Sequence, residues 1–371
     1  MSWTRKLGTL RLKNLQTLLM TRTTSGDSSQ NVADLLQDMQ ATEQNKKEKT
    51  DPDTTTVLLF AGQGSQKVGM ADSFLQYPNV KTMFNAASDI LKYDLLSLCQ
   101  HGPKSELDLT VHCQPALLVT SLAAVEHLQE TDPNVLEHCK ACAGYSVGEY
   151  AALVFSGAIS FEDAVALINV RAKAMQNACN AVSSEMVTAI GSASSKFRAA
   201  CKTARDHIQE KFLIEKPVCH VSANLCTNTV TIAGHTEAIN YLKEHHNEFE
   251  IRKIIPIPVS GAFHTNLMKP VSKKLELALK NVHIEEPLIK VYSNYTGKVF
   301  KSPQEIQRSL PLQVVRPVLW EQTMHAMFTR SGKINMPQVH DAGPGSQLGS
   351  LLRKCNGKAF LNYCPVNDYS K

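Results

Sequence analysis

Ser146 stands between two glycines, in Gly144-Tyr145-Ser146-Val147-Gly148, where the residue pattern changes from strand to helix. The run before it, Ala141-Cys142-Ala143, reads as a short buried strand, and the run after it, Glu149 to Val154, reads as the start of a helix. A strand that turns sharply into a helix around one serine is a nucleophile elbow. The glycines remove Cβ atoms where the chain doubles back, so the serine can be held in a strained, outward-pointing turn. The helix start also directs free backbone N–H groups toward any oxyanion formed at that serine.

From Val57 onward, short apolar strands alternate with helical segments, the signature of an α/β fold with a largely parallel sheet. Val57-Leu58-Leu59 is an early strand; Pro115 to Leu128 and Ser160 to Ala178 read as helices, the second opened by the weak capping box of Ser160 and Asp163. The rhythm then changes. Strands at Met186–Ile190, Val218–Val221, Val230–Ile232 and Ile251–Ile255, with helices around Phe197–Ile208 and Thr236–Asn247, give a βαββαβ order that matches an inserted ferredoxin-like subdomain. Leu267–Lys280, Leu310–Ser331 and Gln347–Lys354 then return helices to the larger unit. The expected division is an α/β-hydrolase-like domain over 57–183 and 257–371, with the ferredoxin-like subdomain over 184–256.

The leader differs in kind. Residues 1–26 carry Arg5, Lys6, Arg11, Lys13 and Arg22 among leucines, with no acid before Asp27, which is the profile of a mitochondrial transit peptide. Residues 27–56 turn polar and charged and read as a linker. A net charge of +5 over 371 residues, without an Arg/Lys stripe interleaved with aromatics, argues against nucleic acid. The mild surplus suits an acidic protein partner or a phosphorylated cosubstrate. No apolar run approaches a membrane span. The ten cysteines are scattered through apolar patterns, so a reducing compartment is expected, and Cys139-Lys140-Ala141-Cys142 reads as core thiols.

Of 13 histidines, His264 differs from the rest: it follows the apolar segment Ile254–Val259 in the Gly-bearing loop Ser260-Gly261-Ala262-Phe263-His264-Thr265. Arg171 is out of place in another way, lying within the otherwise apolar helix Ala164–Ala174. With Gly62-Gln63-Gly64-Ser65-Gln66, Val170 to Gln176, Gln313 ahead of Pro317, and Gly343-Pro344-Gly345, these landmarks resemble the malonyl-CoA:acyl carrier protein transacylase family, in the family's order and over nearly all the chain beyond about residue 55. The basic leader and the wording Val57 to Gly62 look most like a mitochondrial member.

The resemblance implies a Ser–His dyad that moves a malonyl group from malonyl-CoA to the phosphopantetheine thiol of acyl carrier protein by ping-pong acyl transfer, in the mitochondrial matrix and with no cofactor or metal. Ser146 is the implied nucleophile and His264 the base, oriented by a backbone carbonyl near Gln313. The backbone N–H groups of Gln63 and Val147 are the implied oxyanion donors, and Arg171 holds the malonyl carboxylate through its planar fork. Phe263 matches the malonyl-selective pattern, where methylmalonyl-preferring relatives carry serine. Met175, one turn beyond Arg171, is expected in the same pocket. Asn224 and Asn228 flank a family asparagine without matching it, and Asp341-Ala342 departs from the usual Glu-Val before the Gly-Pro-Gly turn. The competing chemistry is that of a serine hydrolase, from which Arg171 separates the chain; a silent carrier-docking scaffold has no chemical need for Ser146, His264 and Arg171 together.

Overall fold

A computed structural model describes residues 55–259, 261–329 and 335–366; the leader, nearly all of the polar linker, and Ser260 lie outside the described residues. Ten strands are described, in chain order β1 (Thr56–Phe60), β2 (Cys139–Gly144), β3 (Ser184–Ile190), β4 (Cys219–Cys226), β5 (Thr229–His235), β6 (Lys253–Pro256), β7 (Lys290–Tyr292), β8 (Val318–Leu319), β9 (Gln338–Asp341) and β10 (Tyr363–Pro365).

β1 reads Thr-Val-Leu-Leu-Phe and is buried along its whole length. That is the pattern of a strand covered on both faces, as parallel sheets require. It lies at the centre of a sheet ordered β10-β9-β1-β2-β7 in which every pairing is parallel. Alternation along β1 feeds two cores. Leu58 and Phe60 join the helices Thr110–Thr131, Gly148–Phe155 and Phe161–Ala181 on one face, while Val57 and Leu59 meet Trp320, Met324 and Leu348 on the other.

The second sheet runs β6-β3-β5-β4-β8. Its first four strands are antiparallel throughout, and with the helices Phe197–Phe212 and Thr236–His245 they form a ferredoxin-like unit with its own core around Val187, Ile208 and Ile239. β8 comes from the larger half of the chain and pairs parallel with β4, Ala223 facing Val318 and Asn224 facing Leu319. This pairing ties the two units together beside the elbow.

Three elements depart from the sequence reading. The helix expected from Pro115 begins at Thr110, so Pro115 lies inside it rather than at its start. The burial of Cys113, Gln114 and Pro115 outweighs the hydrogen bond that the proline omits. The stretch Leu310–Ser331 holds the end of one helix, Pro303–Gln313, then β8, then a second helix, Trp320–Phe328. Pro317 disfavours helix in the residue before it and separates the two. The apolar segment ahead of His264 contributes only the exposed edge strand β6, which ends at Pro256. Among the described residues no helix is long and apolar enough to cross a membrane.

Candidate active site

The end of β2 and the start of the Gly148–Phe155 helix touch. A Cβ on Gly144 would fall 1.9 Å from the Gly148 carbonyl, and one on Gly148 would fall 2.3 Å from the Phe60 carbonyl oxygen. Neither position has room for a side chain. The residue that absorbs the turn is the serine: Ser146 has φ 53°, the left-handed region that costs an L-residue about 1–3 kcal/mol unless its surroundings over-determine it. They do. The Ser146 N–H donates to Asn294 Oδ1 at 2.6 Å, Asn294 Nδ2 donates to the Gly144 carbonyl at 2.7 Å, and Gln313 Nε2 donates to the Ser146 carbonyl at 2.9 Å.

Ser146 Oγ lies 2.9 Å from His264 Nε2, and His264 Nδ1 lies 2.7 Å from the Gln313 carbonyl oxygen. A carbonyl only accepts, so Nδ1 carries the proton and Nε2 presents its lone pair to the serine hydroxyl. Burial, reinforced by the positive charge of Arg171, pushes the His264 pKa down to about 4, against the opposing pull of the Gln313 carbonyl. The imidazole is therefore neutral at pH 7. His264 itself is left-handed, with φ 59°.

Arg171 lies on the helix Phe161–Ala181 and is 0% exposed. Its Nη1 donates to Gln114 Oε1 at 2.6 Å, and its Nη2 donates to Ser146 Oγ and to Gln313 Oε1, each at 3.0 Å. The Tyr150 ring lies 5.7 Å below the guanidinium. Among the described residues Nε has no hydrogen-bond partner and no carboxylate lies within ion-pairing distance of the guanidinium. Glu149 is buried nearby, its Oε2 accepting from Gln313 Nε2 and from the Asn294 N–H at 2.9 Å each. Burial raises its pKa to about 7 despite those donors and the charge of Arg171. The site thus holds a buried guanidinium hydrogen-bonded only to neutral oxygens, beside a serine and its base.

Residues 57–333 match the family model for the acyl transferase domain. The chain is 46% identical over 343 residues to the human mitochondrial malonyl-CoA-acyl carrier protein transacylase, covering 91% of this chain and 88% of that one. The chain belongs to the malonyl-CoA-acyl carrier protein transacylase family. Among solved structures, the family's enzyme from Coxiella burnetii superposes with a TM-score of 0.75 at 30% identity, covering 85% of this chain and 94% of that one. A malonyl-transacylase solved in complex with its type II PKS acyl-carrier protein superposes with a TM-score of 0.73 at 30% identity, covering 84% of this chain and 94% of that one.

The remaining landmarks that this transacylase pattern picked out fall around the elbow. The Tyr145 N–H donates to the Phe60 carbonyl at 2.9 Å, which sets the loop after β1 against the serine. In that loop the Gln63 side chain donates to Thr110 Oγ1 at 3.2 Å and accepts from Gln114 Nε2 at 3.3 Å. No other described residue engages the backbone N–H of Gln63 or of Val147. Met175 and Phe263 share one buried apolar cluster, and the Met175 sulfur accepts from Gln114 Nε2 at 3.4 Å. Gln313 is buried. A cleft of about 410 Å³ opens onto His264 and is lined in part by Asn224. Asn228 instead occupies the tight turn between β4 and β5, with φ 60°. The Gly-Pro-Gly turn lies beside the Gln63 loop, where Gln347 donates to the Gly64 carbonyl. Sequence reasoning missed Asn294 and Gln114, which carry no local motif, and read Glu149 only as part of the helix that follows the elbow.

Proposed function

We propose that this chain transfers the malonyl group of malonyl-CoA to the phosphopantetheine thiol of mitochondrial acyl carrier protein through a malonyl ester on Ser146, in the mitochondrial matrix, feeding fatty-acid synthesis. The observation that carries the reading is Arg171: a fully buried guanidinium, without a carboxylate partner, donates to the Oγ of the serine that would bear the acyl group. A buried charge in that state calls for a ligand carboxylate, which malonyl supplies and neutral acyl groups do not.

In the mechanism this supports, His264 Nε2 takes the Ser146 proton as Oγ attacks the thioester carbonyl. The Gln63 and Val147 N–H groups receive the developing oxyanion, each worth about 3 kcal/mol of transition-state stabilisation. As the tetrahedral intermediate collapses, the C–S bond breaks and the coenzyme A thiolate takes the proton back from His264. The carrier thiol then runs the same steps in reverse, releasing Ser146. Met175 and Phe263 wall the acyl pocket, and Gln313 orients both the base and the guanidinium. No step requires a cofactor. Residues 57–183 and 257–371 form the catalytic domain and 184–256 the smaller subdomain, a division supported by the subdomain's own core around Val187, Ile208 and Ile239.

Arg171→Ala is the deciding variant. Malonyl transfer should fall far more than acetyl transfer, by about tenfold or more in relative kcat/KM, because acetyl has no carboxylate to lose. Equal losses for the two acyl groups would make the arginine structural.

A further inference from the structure

Glu149 has no part in the steps above, yet it lies in the first turn of the helix Gly148–Phe155 and is 0% exposed. Among the described residues no cation lies within ion-pairing distance of its carboxylate, and its Oε1 has no hydrogen-bond partner. Burying a carboxylate without a paired cation costs stability, and a neutral side chain of the same size would avoid that cost. What an ionised carboxylate offers in return is an oxygen that only accepts hydrogen bonds.

That property bears on the Gln313 amide, whose two ends are chemically opposite. Its Nε2 donates to Glu149 Oε2 and to the Ser146 carbonyl at 2.9 Å each, which leaves Oε1 to accept from Arg171 Nη2 at 3.0 Å. Turned over, the amide would set its oxygen against two acceptors and its NH2 against a guanidinium that has only donors. The same Glu149 Oε2 accepts from the Asn294 N–H at 2.9 Å, and the Asn294 carbonyl accepts from the Leu319 N–H at 2.8 Å, so the Asn294 backbone is pinned on both sides. Its side chain is the clamp on the strained Ser146 turn, through the Ser146 N–H and the Gly144 carbonyl. We infer that Glu149 is a positioning residue for the transfer: one carboxylate oxygen fixes the sense of the Gln313 amide, and with it the Arg171 guanidinium, while holding Asn294 against the nucleophile's turn. The inference rests on the malonyl-transfer reading and adds to it the residue that ties acyl-group selection to the geometry of the elbow.

Two substitutions separate the acceptor from the charge. Glu149→Gln removes the charge and keeps an acceptor for Gln313 and Asn294, whereas Glu149→Asp keeps the charge and withdraws it by one C–C bond, about 1.5 Å. Each is read in the full chain as kcat/KM for Ser146 acylation by malonyl-CoA and by acetyl-CoA, with Tm alongside. At pH 8 the Glu149 carboxyl, raised to about 7 by burial, is ionised. Glu149→Gln should keep the wild-type malonyl-to-acetyl preference. Glu149→Asp should slow malonyl acylation about tenfold and acetyl acylation about threefold, so the preference falls about threefold. The acetyl loss reports the loosened Asn294 clamp, and the additional malonyl loss reports the guanidinium. A lower Tm in Glu149→Asp with both acylation rates unchanged would make Glu149 merely structural and overturn the inference. So would equal losses for the two acyl groups in Glu149→Asp, or a preference lost in Glu149→Gln and kept in Glu149→Asp, which would assign the effect to charge. Wild-type protein that does not prefer malonyl-CoA would overturn the malonyl-transfer reading instead, and the acetyl rate of Glu149→Asp would still test the clamp.

Discussion

His264 is a base held far below its ordinary range, and the causes are separable. Burial contributes most, and the guanidinium of Arg171 adds to it. The base works when deprotonated, so its contribution is lost as pH falls through its folded pKa of about 4. In Glu149→Gln, which removes the neighbouring carboxyl raised to about 7 and keeps an acceptor for Gln313 and Asn294, Ser146 acylation, followed as kcat/KM for malonyl-CoA, should stay nearly flat from pH 7 to pH 5. An unperturbed imidazole, with a pKa of about 6.5, would lose most of its activity over that range. Arg171→Ala should move the acid limb upward, because one of the two depressing influences is gone; an unmoved limb would mean that burial alone sets it. Ser146, His264 and Arg171 were legible because each breaks its local pattern: a serine between glycines, a histidine after an apolar run, an arginine in an apolar helix. Asn294 was not, since it meets the Ser146 backbone from 148 positions away and only the fold brings the two together.

At the scale of elements, the helix Phe161–Ala181 carries Arg171 and Met175 and is fixed at its start by Ser160. The Ser160 hydroxyl oxygen accepts from the Asp163 N–H at 3.0 Å, as the capping pattern anticipates. Ser160→Ala should therefore lower stability by about 1 kcal/mol in urea denaturation while leaving the malonyl-to-acetyl preference intact. A shifted preference would show that the cap also positions Arg171, about three turns further on. Caps and buried strands such as β1 were readable because their signals are local. The start of the Thr110–Thr131 helix was not, because a proline usually marks a first turn and here lies inside one. The strand expected at Ile251–Ile255 is found as β6, but the apolar residues that follow it toward His264 do not extend it beyond Pro256.

In the whole molecule, the α/β alternation and the βαββαβ insertion were visible in the sequence, but β7, β9 and β10 were not. β9 reads Gln-Val-His-Asp, and its last two residues are buried although polar. Asp341 Oδ2 accepts from the Tyr363 hydroxyl at 2.7 Å, while Oδ1 has no partner among the described residues, and burial raises the carboxyl pKa from 3.8 to about 7. A carboxyl raised in this way contributes stability that is full below about pH 3.8 and is lost as pH rises to about 7. Asp341→Asn keeps an acceptor for Tyr363 and removes the buried charge, so it should raise Tm more at pH 8 than at pH 5; equal gains at the two pH values would refute this account of the carboxyl. The central claim concerns the reaction that the two sheets assemble around the elbow, and the most direct measurement is peptide mapping by mass spectrometry after brief mixing with malonyl-CoA. The malonyl group should be found on Ser146 of the wild-type chain, be absent from Ser146→Ala, and be discharged by the carrier thiol. A malonyl group on any other residue, or an unmodified Ser146, would contradict it.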